Sequence, residues 1–342
     1  MKKSVIGILS VLMALMLLFA ACSRKSEGLL FLPNGDGSCI VNGLGVCKDL
    51  DVVIPDKSPE DDYVMGIGDE AFRDETHLTS IIFPDSVRNI GNSAFYGCTG
   101  LTSITIPNGV KSIGDNAFAL CTGLTSITMP DSITSIGDYS FVECTGLTSI
   151  AIPNSVRSIS EGAFYGCTSL TSITIPDSVT RIGGEAFHGC TGLTSITIPD
   201  SVTRIDAGAF DLCTGLTSIT IPNSITSIGD YMFNWCTNLT SITIPDSVNR
   251  IGDFAFSSSG LTSITVPDGV QNIGHGTFYG CTGLTSITIP TSVTSINRLA
   301  FDGCTALTDV YYAGTEEEWA LIAIDSDNQC LTKATIHYNY KG

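Results

Sequence analysis

Phenylalanine returns at a fixed interval along this chain, at Phe72, Phe95, Phe118, Phe141, Phe164, Phe187, Phe210, Phe233, Phe256, Phe278 and Phe301. Nine of the ten steps are 23 residues, and the step from Phe256 to Phe278 is 22. The words between them are near copies: Cys98-Thr-Gly-Leu-Thr-Ser-Ile-Thr-Ile-Pro107 recurs almost unchanged from Cys121, Cys144, Cys167, Cys190, Cys213, Cys236 and Cys281. A period of this length marks a solenoid, in which each rung buries its core against the next. No composition shift divides the middle of the 342 residues, so one elongated domain is the simplest reading.

The spacing inside one rung predicts its path. In Leu101-Thr-Ser-Ile-Thr-Ile106, Ile104 and Ile106 point one way while Ser103 and Thr105 point the other, a short strand with one apolar face. Pro107 ends it for want of an N–H, and Asn108 has a side chain suited to closing a turn. Val110 and Ile113 return to the core, and Gly114 is expected to supply an unusual backbone angle. Asp115 is placed to cap a helical turn holding Ala117 and Phe118, and Cys121 closes the rung.

The resulting pattern, Leu-x-x-Ile-x-Ile-Pro-x-x-Val-x-x-Ile-Gly-x-x-Ala-Phe-x-x-Cys, resembles the BspA-type leucine-rich repeat of bacterial surface proteins over residues 47 to 310. The resemblance implies an α/β solenoid: a right-handed leucine-rich-repeat arc of about eleven rungs of 23 residues, capped at both ends. Each rung would carry a short concave strand and a short helical or 3-10 turn. It also implies a non-catalytic binding scaffold or adhesin, without naming what is bound.

Both ends depart from the repeat. Lys2 and Lys3 precede an apolar run, Val5 to Ala21, in the layout of a secretory signal. Its end, Leu18-Phe19-Ala20-Ala21-Cys22, resembles a bacterial lipobox, which makes Cys22 the lipidation site. The divisions are a signal peptide over 1–21, a tether over 22–28, an N-terminal cap with a first irregular repeat over 29–68, the solenoid over 69–310 and a C-terminal cap over 311–342. Ser38-Cys-Ile-Val-Asn42 and Asp51-Val-Val-Ile-Pro55 suggest a hairpin-like start. At the other end, Thr315-Glu-Glu-Glu318 is a capping box opening a short helix that includes Trp319, and Ala334–Tyr338 reads as a closing strand. This layout places the protein in the cell envelope, lipid-anchored at the outer membrane or cell surface, touching the membrane only through the anchor.

Nine cysteines, from Cys98 to Cys304, share one column of the repeat. Stacked strands hold equivalent side chains about 4.8 Å apart with parallel vectors, whereas a disulfide needs Cβ atoms near ~3.8 Å and a twisted torsion. A buried ladder of free thiols follows, and one row of sulfurs cannot surround a metal ion. Cys39 and Cys47 are the one plausible pair in an oxidising compartment.

Basic residues number 16 against 34 acidic, a net charge of −18, which disfavours nucleic acid as a partner. No P-loop, dinucleotide fingerprint or zinc-protease helix is present, and the four histidines share no recurring context, so no catalytic residue, cofactor or metal is assigned. The outward strand positions form a grid of hydroxyls that includes Ser195, Thr197, Ser218, Thr220, Ser241 and Thr243. It is either a docking face or simply strand propensity and solubility. Exposed aromatics are the better candidates for a protein or glycan ligand: Tyr139, Tyr165, Tyr231, Trp235 and Phe254, the last three on neighbouring rungs. Packing against the adjacent loop is their alternative role. The Asp or Asn after each proline, such as Asp85 and Asn108, reads as turn capping in preference to a calcium ladder.

Overall fold

The computed structural model describes residues 25–341. Cys22 and the segment before it lie outside the described residues.

The alternation around Ile104 produces a strand at Ser103–Thr105, with Ile104 buried and both neighbours exposed. It pairs in parallel with Ser126–Thr128, Ile104 opposite Ile127. After the proline a second, two-residue strand forms at Ser112–Ile113 and pairs in parallel with Ser135–Ile136. The turn between the strands is closed by the backbone, the Val110 N–H donating to the Pro107 carbonyl at 3.1 Å. That bond does the work expected of the Asn108 side chain.

The third side of each rung carries the phenylalanine, and here the expected helical turn is absent. Asn116, Phe118 and Leu120 donate their N–H groups to the carbonyls of Asp138, Ser140 and Val142 on the next rung, at 2.8 to 2.9 Å. Alternate donors thus bind the rungs together, while Ala119 and Cys121 between them close tight turns onto Asn116 and Phe118 within the rung, too short to make a helix. The α/β expectation is therefore corrected to a leucine-rich-repeat β-solenoid with little helix. It has about 13 turns rather than eleven, because Asp309–Tyr312 and Thr335–His337 continue the strand side past the last phenylalanine.

Backbone geometry around the phenylalanine is unusual. Residues two before and two after it take positive φ whatever their type, as at Asn116 (54°) and Leu120 (59°), Tyr139 (54°) and Glu143 (56°), and Tyr231 and Trp235 (both 56°). Gly114, by contrast, keeps an ordinary φ, and its reason is space. A Cβ there would meet the Asn92 nitrogen and the Gly91 carbonyl carbon at 2.7 Å. The glycine lets two backbones approach, which corrects the expectation of a special angle.

Asp115 also acts between rungs instead of capping a helix. Its Oδ1 accepts the Asp138 N–H at 2.9 Å, as Asn92 accepts from Asp115 and Asp138 from Glu161. Asp230 and Asp253 repeat the arrangement toward Asp253 and His275. A row of serines adds a further rung-to-rung bond: Ser86, Ser132, Ser178, Ser201, Ser224, Ser247 and Ser292 each donate to a carbonyl of the preceding rung at 2.6 to 2.8 Å.

The core fills the space between the three sides. The eleven phenylalanine rings form one continuous stack, with centroids 5.2 to 5.8 Å apart and planes within 27° of parallel. These separations exceed the strand spacing of about 4.8 Å and suit offset-stacked rings. Burying each ring contributes about 1.5–3 kcal/mol. The column cysteines are buried and free, each thiol donating to the phenylalanine carbonyl of the rung before, as Cys121 does to Phe95 at 3.0 Å. In the 22-residue step Ser259 takes the cysteine's place, 3.4 Å from the Cys281 sulfur.

At the N-terminal end, Leu30–Pro33 and Ser38–Gly43 form an antiparallel hairpin, and Ser38–Gly43 pairs in parallel with Tyr63–Ile67. Asp51–Val53 belongs to the other side and pairs with Ser80–Ile82, so the expected partnership of residues 38–42 with 51–55 does not form. Cys39 and Cys47 are both free. Lys25 and Ser26, read as tether, already hold the first rung: Lys25 pairs with Asp56 at 2.7 Å, and the Ser26 N–H donates to the Val53 carbonyl at 2.9 Å. At the C-terminal end Thr315 and Glu318 make the expected capping box on the helix Glu316–Trp319. A second short helix spans Gln329–Lys333.

Candidate binding surface

Two surfaces carry the residues singled out above. On the strand side Ser195, Thr197, Ser218, Thr220, Ser241 and Thr243 are all exposed, the isoleucine between each pair pointing inward. Ser172, Thr174, Ser195 and Thr197, with Asp177 and Asp200 at the edge, line an open groove of about 870 Å³. It offers rows of hydroxyls and two carboxylates. The hydroxyl grid is interrupted at residues 241–243, which join no strand ladder.

The turn side holds the aromatics. Tyr231 stacks on Phe254 at 5.2 Å with planes 10° apart, and Phe254 meets the edge of His275 at 5.0 Å. Tyr231 is 44% exposed and Trp235 50% exposed, while Phe254 is half-buried. Trp235 lies on the same rung as Tyr231, and among the described residues no ring contact joins it to the pair. Tyr139 and Tyr165 sit several rungs away and are half-buried. The Tyr139 hydroxyl donates to Glu161 at 2.9 Å, and burial, followed by that bond, pushes its phenol up to about 12. Tyr165 stacks on His188 at 4.3 Å. The structure thus brings Tyr231 and Phe254 together, adds His275, and keeps Tyr139 and Tyr165 apart from them.

The left-handed backbone angle at Tyr231, Trp235 and Phe254 comes from the turn, since serine, asparagine and leucine adopt it at equivalent places. A bulky L-residue there costs about 1–2 kcal/mol. Ring contact offsets part of that cost: Phe254 lies over Gly276 where a side chain would otherwise stand, and Tyr139 lies over Gly162 in the same way. Trp235 makes no such contact among the described residues. Among those residues, too, no three of His, Cys, Asp or Glu converge to hold a metal ion, and no helix is long and apolar enough to cross a membrane.

A further cluster ends the strand side, where Tyr311, His337 and Tyr340 gather beside Asp309. Sequence reasoning missed it as a surface. The break of the repeat at Tyr311-Tyr312 was a visible signal, but pairing with residues 335–337 was needed to assemble the cluster.

The model of the BspA type leucine rich repeat region matches the chain in six copies, over residues 65–194 and 182–308. Among solved structures the chain is similar to a leucine rich cell surface protein of Faecalibacterium prausnitzii, with 32% identity and a TM-score of 0.58, over 89% of this chain and 98% of that one. It shares its fold with a leucine-rich repeat protein from Eubacterium ventriosum, at 22% identity, TM-score 0.50 and 84% of each chain. The pneumococcal vaccine antigen PcpA has the fold too, at 17% identity and TM-score 0.52, over 93% of this chain and 98% of that one. None of the curated proteins matches it. The period, the stacked parallel strands and the matched repeats agree, and the chain belongs to the BspA-type leucine-rich-repeat family.

Proposed function

We propose that this protein is a non-catalytic cell-surface binding module, an adhesin that recognises a host or environmental protein or glycan through the solenoid surface. Lipid on Cys22 holds it at the envelope, and the N-terminal hairpin and C-terminal helices cover the ends of the core. The observation that carries the reading is the group Tyr231, Trp235 and Phe254 on two adjacent rungs. Three large aromatics occupy a turn surface elsewhere made mostly of small and polar residues, at backbone angles that disfavour them. Such residues are favoured where a partner covers them. The likeness to a named cell surface protein over 89% of this chain supports the location. A second reading, an envelope spacer without a specific ligand, is favoured by the near identity of the rungs.

The two readings separate in one experiment on cells expressing the full chain, assayed for adhesion to a panel of immobilised extracellular-matrix proteins and glycans. Saturable adhesion is expected, reduced about ten-fold or more by the triple change Tyr231→Ala, Trp235→Ala and Phe254→Ala. With Cys22→Ser the protein should no longer take up labelled fatty acid, and adhesion by the cells should fall. Adhesion that ignores the triple change removes the patch, and no saturable adhesion at all leaves the spacer.

A further inference from the structure

The exposed columns of the strand side change character at its C-terminal end. Pairing places Asp309 beside Ser286, and Tyr311 beside Thr288, with His337 following Tyr311. The strands Ser263–Thr265, Ser286–Ile289, Asp309–Tyr312 and Thr335–His337 form the one four-stranded stretch of this side among the described residues; elsewhere its strands pair in twos. The Tyr311 ring stacks on His337 at 4.8 Å and packs against Tyr340 at 4.7 Å, the two tyrosine planes inclined by 42°. Asp309 is fixed by both oxygens: Oδ1 lies 2.7 Å from His337 Nε2, and Oδ2 accepts from the Thr308 hydroxyl at 2.7 Å. Each oxygen keeps a further lone pair for an outside donor. In front of the tyrosines lies an open groove of about 490 Å³, lined by Asp246, Thr265, Ser286 and Thr288 among others, with Asp309 beside Ser286 at its edge.

An exposed Tyr340 ring beside the half-buried Tyr311, a carboxylate held in one orientation and a row of hydroxyls match a flat ligand with C–H groups on its face and hydroxyls around its edge. That is the chemistry of a pyranose sugar. The lining holds no Lys or Arg, and the chain carries a net charge of −18, so uronate, sialic-acid or sulfated sugars meet no counter-charge. A protein partner would need desolvated apolar or arginine anchors, which this open polar groove does not provide. We propose that the C-terminal end of the strand side is a carbohydrate site for a neutral oligosaccharide, one sugar ring lying on Tyr340 beside Tyr311 while its hydroxyls bond to the Ser286 and Thr288 hydroxyls and to Asp309 next to Ser286. It rests on the surface reading above only for where the sugar is met, and it uses different residues.

Saturation-transfer NMR on the purified protein with cellotetraose, maltotetraose and N-acetylchitotetraose tests it, with sialyllactose as the anionic comparison. At least one neutral tetrasaccharide should receive saturation at its ring C–H protons, with a Kd of about 1 mM or tighter. Tyr340→Ala, an exposed position, should weaken it about ten-fold or more without changing the melting temperature, and Asp309→Asn should weaken it less. Tyr231→Ala should leave it unchanged. The site is refuted if no neutral tetrasaccharide binds, if Tyr340→Ala binds as well as the parent, or if sialyllactose binds as tightly. It is refuted also if Tyr340→Ala abolishes adhesion to a protein and leaves sugar binding intact. Sugar binding that survives the triple aromatic change while matrix adhesion is lost would show the two sites to be separate.

Discussion

Each cysteine from Cys98 to Cys304 fills core volume and also donates to the rung before it. Burial pushes the thiols of Cys98, Cys144 and Cys190 up to about 12, and those of Cys121, Cys167 and Cys213 well above the ordinary value. In the unfolded chain they ionise near ~8.5. Above that pH the unfolded state holds fewer protons than the folded one, so the contribution to stability is complete below the ordinary thiol range and lost as pH rises toward about 12. Urea midpoints should therefore be flat up to about pH 8 and fall beyond it. Replacing Cys144 by Ala should shallow the fall, and the native thiols should resist alkylation until urea is added. A midpoint unchanged at alkaline pH would remove the thiols as the cause. The free thiols of this column were legible because stacked side chains stand too far apart, with parallel vectors, for a disulfide to join them. The serine donors such as Ser178 were not legible, because a hydroxyl after Pro-Asp serves equally well in a turn or toward a neighbouring rung.

The rung is the element on which sequence reasoning was half right. The strand around Ile104 followed from alternation, and proline marked where it stops; the second strand at Ser112–Ile113 did not, since Val110 and Ile113 stand three residues apart and show no alternation. The turn around Phe118 did not follow, since Asp115 has the right chemistry for a helix cap and for a bond to the next rung, and one rung in isolation cannot distinguish them. Glycine was misread for a related reason: spacing shows that a side chain is missing, not whether angle or room requires it. Two substitutions with opposite expected signs separate these causes. Gly114→Ala drives a methyl into the preceding backbone and should destabilise by about 1–3 kcal/mol. Gly283→Ala, whose nearest neighbour would be 3.6 Å away at ordinary φ, should be neutral or stabilise by about 0.4–1 kcal/mol through the unfolded chain. Thermal melts of the two proteins give the comparison, and equal effects would sink the close-approach account.

Taken whole, the molecule is a line of near-equal interfaces carrying a net charge of −18. Carboxylates recur at one position on consecutive rungs, as at Asp115, Asp138 and Glu161, so like charges are held at the rung spacing. Screening has a length of about 10 Å at 0.1 M salt, enough to relieve repulsion between rungs. The melting temperature should rise between ~0.01 M and ~0.1 M sodium chloride; a flat response would show the carboxylate bonds to N–H groups to outweigh the repulsion. At this scale the fold was legible because repetition multiplies every weak signal. The cluster of Tyr311, His337 and Tyr340 occurs once and depends on two strands 26 residues apart in sequence, so the break at Tyr311-Tyr312 marked its place without showing its partners. The in-register ladders have one more consequence. A duplicated 23-residue segment inserted between Cys190 and Cys213 would present the same interface above and below, so copy number can drift without refolding anything already there. Each added copy moves the C-terminal groove about 4.8 Å farther from the N-terminal hairpin. The length of the solenoid is thus adjustable, set separately from whatever its C-terminal end holds.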